Sequence, residues 1–293
     1  MDSSDRGAPR RRPRIARLLG LTPFAAYVLV FLAIPTILAV GTGFFTEDGV
    51  FTLDNLAGLF APNVLATFVS SFWVSAVTAI VGAVVGALVC YALLGTRAEG
   101  ALRTVVDSAS SVLAQFGGVM LAFAFIAAIG SQGLVTVWLR DAFGIDIFAN
   151  GVWLYQVPGL LPVYLYFQVP LMIITFMPAL SGLKPQWAEA SATLGGTRLT
   201  YWTHIAIPVL APAFLGSLLL LFANAFSSYA TAAALISQGS QIVPLQIRSA
   251  LVSETVLGRE NMAGALALGM VVVMVVVMWG YSVLQSRTSR WQR

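Results

Sequence analysis

Runs of about 20 apolar residues recur along this chain, and each is long enough to cross a bilayer as a helix. They span Thr22 to Phe44, Phe68 to Leu94, Val112 to Val137, Tyr155 to Leu180, Val209 to Leu235 and Ala263 to Gln285. Hydrophobic residues make up 58% of the chain and charged residues only 10%, against roughly 25% charged in a soluble domain. A water-soluble fold could not cover that much apolar surface. The expected fold is therefore all-α: a polytopic membrane protein with six transmembrane helices. Residues 22–285 form the transmembrane unit, between a basic tail (1–21) and a short second tail (286–293).

Charge sets the direction. With six spans, both termini lie on the same side as the second and fourth connecting loops. The opposite side holds only Arg140, Arg248 and Arg259, which leaves 13 of the 16 basic residues on the side of the termini. The positive-inside rule makes that side cytoplasmic. Arg10-Arg11-Arg12-Pro13-Arg14 resembles the charged region of a signal peptide, but the apolar run behind it is too long and no small-residue cleavage site closes it, so it reads as a retained first helix. The net charge of +4 sits at span ends and termini, which is topology and not a nucleic-acid patch.

The missing groups narrow the function. As drawn, no span contains an acidic residue, the histidine or the lysine. Ion-coupled carriers usually hold ionisable groups at membrane depth, so the energy for any transport is expected from another subunit. The one lysine, Lys184, lies in Gly182-Leu183-Lys184-Pro185, which lacks a phosphate-binding pattern. One histidine, His204, cannot make a two-histidine metal site. One cysteine, Cys90, excludes an intrachain disulfide and reads as a small buried hydrophobe. No catalytic constellation is available at membrane depth, so the chain is not expected to be an enzyme.

The loop 181–208 carries the most specific pattern. Pro185 suits a first helical turn and Gln186 to Leu194 are good helix formers. Gly195-Gly196 ends that helix in a left-handed turn. Thr197 can cap a second helix, and Pro208 marks the start of the fifth span, where its missing N–H costs little. A helix–Gly–helix elbow of this kind can fit a cleft on a partner and pass on a rigid-body movement.

Here the sequence resembles a known family. Glu189-Ala190-Ser191, then Gly195, then Ile205 and Ile207-Pro208 stand at the spacing of the Glu-Ala-Ala signature of binding-protein-dependent ABC importer permeases. Ser191 replaces the second Ala and Ile207 replaces Leu. The resemblance implies that Glu189, Ala190, Ser191, Gly195, Ile205 and Pro208 belong to the coupling loop. It also implies several partners: two copies of a cytoplasmic ABC ATPase, a second and different permease subunit, and an extracytoplasmic solute-binding protein. The chain itself would hold no cofactor, with ATP and Mg on the partner ATPase, and would sit in a bacterial cell membrane.

Polar residues within spans are candidates for the pathway, because facing lipid is costly for them. They are Gln115, Gln168, Asn224, Ser227, Ser228 and Tyr229, with helix-to-helix hydrogen bonding as the plain alternative. Gly82 and Gly86 form a Gly-x-x-x-Gly suited to close helix packing. The segment Ile236 to Leu245 lacks the Gly-Gly-Pro of the sugar branch. It points instead towards the polyamine, iron, phosphonate or sulfate branches and a small polar solute. A sugar or glycerol-phosphate permease, and a secondary ion-coupled carrier, stand as alternatives.

Overall fold

The computed structural model describes residues 22–46, 48–96, 100–236, 242–252 and 260–288. The basic tail 1–21, the terminal residues 289–293, Arg97, Arg259 and most of the polar stretch after Ile236 therefore lie outside the described residues. In hydrocarbon every backbone polar group needs a partner within the chain, which favours helices. Among the described residues no strand forms, and a single bridge joins Phe45 to Phe51. Among the described residues, six helices are long and apolar enough to cross a membrane: Thr22–Phe44, Pro62–Leu93, Gly118–Phe143, Val157–Ser181, Arg198–Phe226 and Asn261–Gln285.

The elements are α1 (Thr22–Phe44), α2 (Asp54–Gly58), α3 (Pro62–Leu93), α4 (Ala101–Gln115), α5 (Gly118–Ile129), α6 (Leu134–Phe143), α7 (Leu160–Ser181), α8 (Pro185–Thr193), α9 (Arg198–Phe226), α10 (Ala230–Leu235), α11 (Val243–Val252) and α12 (Glu260–Thr288). Residues 286–288, expected as tail, continue α12.

The centre is the pair α3 and α7. Their contacts ascend together: Thr78 meets Gln168, Gly86 meets Met172 and Cys90 meets Ile173. The two helices therefore run parallel and both end on the side of the elbow. Small residues permit the approach. A Cβ on Gly86 would fall 2.5 Å from Met172 Cβ, and one on Gly82 would fall 3.1 Å from Gln168 Cβ. α9 closes this core with Leu210, Leu221, Phe222 and Phe226. α1 joins α12 at one end only, where Gly43 lies so close that a Cβ would come 2.6 Å from the Ala265 nitrogen. The rest of α1 is bare apolar surface, as a lipid-facing helix would be.

Three expectations need correction. The apolar run predicts a third crossing over Val112 to Val137, but the chain breaks inside it at Phe116–Gly117, and Gly118 has φ +75°. α4 and α5 run in succession down α7 in the opposite direction. Arg103 reaches Ser181, Val106 packs in the cluster of Cys90 and Leu180, and Leu121 packs with Val163 and Tyr164. By packing, the third crossing is α4 plus α5, so Arg103 and Asp107 lie alongside membrane helices. The apolar stretch Gly118–Phe143 likewise takes in Arg140 and Asp141. The absence of acids from the spans therefore does not hold.

The apolar run predicts a fifth span over Val209 to Leu235. Its helix starts earlier, at Arg198, and stops at Phe226. Pro208 then sits within a continuous helix. Ahead of it, Trp202–Ala206 is wound as a π-turn, with Ile207 N–H donating to the Trp202 carbonyl. The wider turn moves backbone away from a ring that would clash in an α-helix. Pro35 in α1 follows the π-turn Leu29–Ala33 in the same register.

Candidate functional site

The elbow is built by local chemistry. α7 ends at Gly182, Lys184 is extended, and Pro185 occupies the first turn of α8, where its missing N–H has no helical partner to lose. α8 closes in a Schellman motif: Gly196 N–H donates to the Ser191 carbonyl at 2.8 Å and Gly195 N–H to the Ala192 carbonyl at 3.0 Å. Gly195 holds φ +78°, the left-handed value this closure needs. Gly196 is required for a different reason, since a Cβ there would meet Ser191 Oγ at 2.5 Å. Thr197 Oγ1 then accepts from Thr200 N–H at 3.2 Å and starts α9.

This unit is fastened to the membrane helices. Arg198 donates to the Tyr91 hydroxyl of α3 at 3.0 Å, and the Tyr91 and Trp202 rings meet edge to face at 5.1 Å. Ser191 is buried at the turn, while Glu189, Ala190 and Gly195 are exposed. Leu194 and Leu199 are 89% and 73% exposed. A cleft of about 390 Å³ between α8 and α9 is lined by Trp187, Ala190, Ser191, Leu194, Ile205 and Val209. The elbow thus presents one carboxylate, bare leucines and a groove on a rigid mount. The elbow is continuous with α7 through Leu183 and with α9 at Arg198. Glu189, Ala190, Ser191, Gly195 and Ile205 come together in it, and Pro208 sits just behind its π-turn.

The proposed pathway residues separate into two groups. Gln168 is a correction: it is fully buried between α3 and α7, where Nε2 donates to Thr78 Oγ1 at 2.8 Å. It joins helices and faces no open space. The others gather at two chain breaks. Ser227 and Ser228 lie in the gap between α9 and α10, next to Asn224 and Tyr229, and Gln115 closes α4 just before the other break. The two breaks are stitched together: Gly118 N–H donates to Thr231 Oγ1 at 3.0 Å, and the buried Tyr164 hydroxyl donates to the Ser228 carbonyl at 3.0 Å. Asn224, Ser227 and Tyr229 remain exposed there. Broken helices at membrane depth are tolerated where the freed backbone finds protein partners or water. Tyr164 and Thr231 supply those partners. Tyr164 and Thr231 were visible in the sequence only as polar residues within apolar runs, with no sign of their bonding role.

No protein-family model matches the chain. It is 26% identical over 174 residues to the sulfate transport system permease protein CysT of Salmonella typhimurium, covering 57% of each chain. It is 24% identical over 266 residues to the probable ABC transporter permease protein y4fN of Sinorhizobium fredii, covering 90% of this chain and 45% of that one. The chain thus spans about half the length of these curated relatives. Among solved structures, a bacterial ABC transporter involved in the import of the acidic polysaccharide alginate superposes with a TM-score of 0.74 at 17% identity, covering 93% of this chain and 96% of that one. The fold is that of ABC importer membrane subunits, and the resemblance read from the elbow extends to named permeases along most of the chain.

Proposed function

We propose that this chain is the permease subunit of an ATP-driven ABC importer in a bacterial cell membrane. It forms half of the solute pathway and takes its drive from a separate ATPase at the Glu189–Gly195 elbow. The observation that carries the reading is the elbow itself: a Schellman-closed helix, rigidly fused to α9, that offers bare Leu194 and Leu199 beside Glu189. Exposed leucines on a polar-facing turn suit a protein partner. Two copies of the ATPase, with ATP and Mg bound to them, would pull two such elbows together. A second permease subunit would complete the pathway, and an extracytoplasmic binding protein would deliver the solute. A small polar solute fits this reading; its charge is left open by relatives named for sulfate and for ferric transport.

The test is reconstitution with the cognate ATPase and binding protein, sought first among the products of neighbouring genes. Gly195→Val forces a β-branched residue into the left-handed region, and Ala190→Glu adds charge to the elbow. Both variants are expected to insert normally, to lose uptake, and to lose the solute-stimulated part of ATP hydrolysis. Normal uptake in both would remove the coupling claim. A thermal-shift screen of the binding protein against sulfate, phosphonate, polyamine, ferric chelate and saccharide would then name the solute.

A further inference from the structure

α4 has three faces where a simple membrane helix has two. Arg103, Val106 and Ser110 turn towards α7 and α3 and are at least partly buried. The exposed remainder divides cleanly. Leu102, Val105 and Val112 form one exposed apolar stripe. Thr104, Asp107, Ser108, Ser111 and Gln115 form an exposed polar stripe, centred about a third of a turn round the helix from the apolar one at 3.6 residues per turn.

The polar stripe runs beside α7 at membrane depth. Its start lies next to Arg103, which donates to Ser181 at 2.9 Å near the elbow end of α7. Its far end, Gln115, adjoins the stitched breaks at Gly118 and Ser227–Ser228. Two of its hydroxyls return to their own helix, Thr104 to the Gly100 carbonyl and Ser111 to the Asp107 carbonyl, and those alone would tolerate lipid. The Asp107 carboxylate and the Gln115 amide would not. Asp107 is half exposed, whereas its neighbour Arg103, 3.7 Å away, is mostly covered. Any space in front of the stripe therefore meets the carboxylate more than the guanidinium.

We propose that this face of α4 is the wall of a water-filled vestibule leading from the helix breaks to the elbow side, and that Asp107 makes it favour cationic or neutral solutes over anions. The inference deepens the permease reading and rests on the chain spanning a membrane, but its test uses neither ATPase nor solute. In a Cys90→Ala background, Ser108→Cys, Ser111→Cys, Val105→Cys and Val112→Cys are made in the full chain in lipid vesicles. Water-soluble thiosulfonate reagents are then applied. Positions 108 and 111 are expected to react, and 105 and 112 to resist. At position 111 a cationic reagent is expected to outpace an anionic one about ten-fold, each normalised to a free thiol in solution. That ratio should fall to near unity in Asp107→Asn and persist in Asp107→Glu. Equal reaction at all four positions would mean that α4 lies on the membrane surface. Protection of 108 and 111 would mean the stripe is covered by protein. A charge ratio indifferent to Asp107 would remove its selective role. Any of these results overturns the proposal and leaves the coupling claim to its own test.

Discussion

Gln168 donates one hydrogen bond to Thr78, and its buried Oε1 has no protein partner among the described residues. Such a group is half satisfied, so the two ends of the bond respond differently to substitution. Thr78→Val keeps the shape and strands the amide nitrogen. Hydrogen bonds between membrane helices are worth about 0.6 kcal/mol on average and up to about 1.7. Thr78→Val should therefore cost about 1 kcal/mol, measured as a lower melting temperature in detergent. Gln168→Leu together with Thr78→Val should recover most of that loss, because both polar partners are then gone. Uptake per folded molecule should stay normal in the double variant, because Gln168 is buried between α3 and α7 and faces no open space. Tyr164 is the contrasting case. Its hydroxyl holds the Ser228 carbonyl at the break, so Tyr164→Phe should slow uptake before it lowers stability. An unchanged transport rate would make that hydroxyl a packing detail.

The helices owe their lengths and bends to a few residues. Pro35 and Pro208 each stand two residues after a π-turn that accommodates the ring, whereas Pro170, Pro178 and Pro212 sit in α-wound helix. Pro208→Ala restores the backbone N–H and removes the ring, so α-winding becomes possible there. Relaxation to α-geometry would turn the elbow by about 100° relative to α9, the angle per residue of an α-helix, and would strain the Arg198–Tyr91 bond. More ATP hydrolysed per solute moved, with normal insertion, is the expected result. A normal ratio would mean the π-turn is held by tertiary contacts and not by the proline. The α3–α7 contact is as specific. Gly86→Val drives a side chain into Met172 and should destabilise by about 1–3 kcal/mol, as overpacking does. Gly82→Ala meets only a 3.1 Å contact with Gln168 Cβ and should be milder. Thermal unfolding of the two variants side by side decides the matter.

For the whole molecule the test is direction. If the elbow faces the ATPase, Leu194→Cys must label from the cytoplasm and Val50→Cys, in the loop joining α1 to α2, from outside. The reverse pattern would overturn both the charge argument and the coupling role. Much of this architecture was legible beforehand. Five of the six crossings, the α8 helix, the Gly195 turn and the Thr197 cap are local consequences of apolar run length, proline, glycine and hydroxyl chemistry, which act over a few residues. The third crossing was not legible. α4 is too polar to score as a span, and only its packing along α7 places it there. The same limit hid Gln168, because a buried amide and a pathway amide read alike along a chain.

The sequence alone determined that the chain crosses a membrane as helices and that it carries an elbow of fixed shape between the fourth and fifth crossings. Hydrophobic run length and backbone dihedral preference are properties of neighbouring residues, and they survive without any partner. The tertiary structure decided which polar side chains face each other and which face open space, because that depends on the parallel pairing of α3 with α7 and on the antiparallel run of α4 beside it. Thr78 and Gln168 are 90 residues apart, and no local rule links them; only the close approach allowed by Gly82 and Gly86 does.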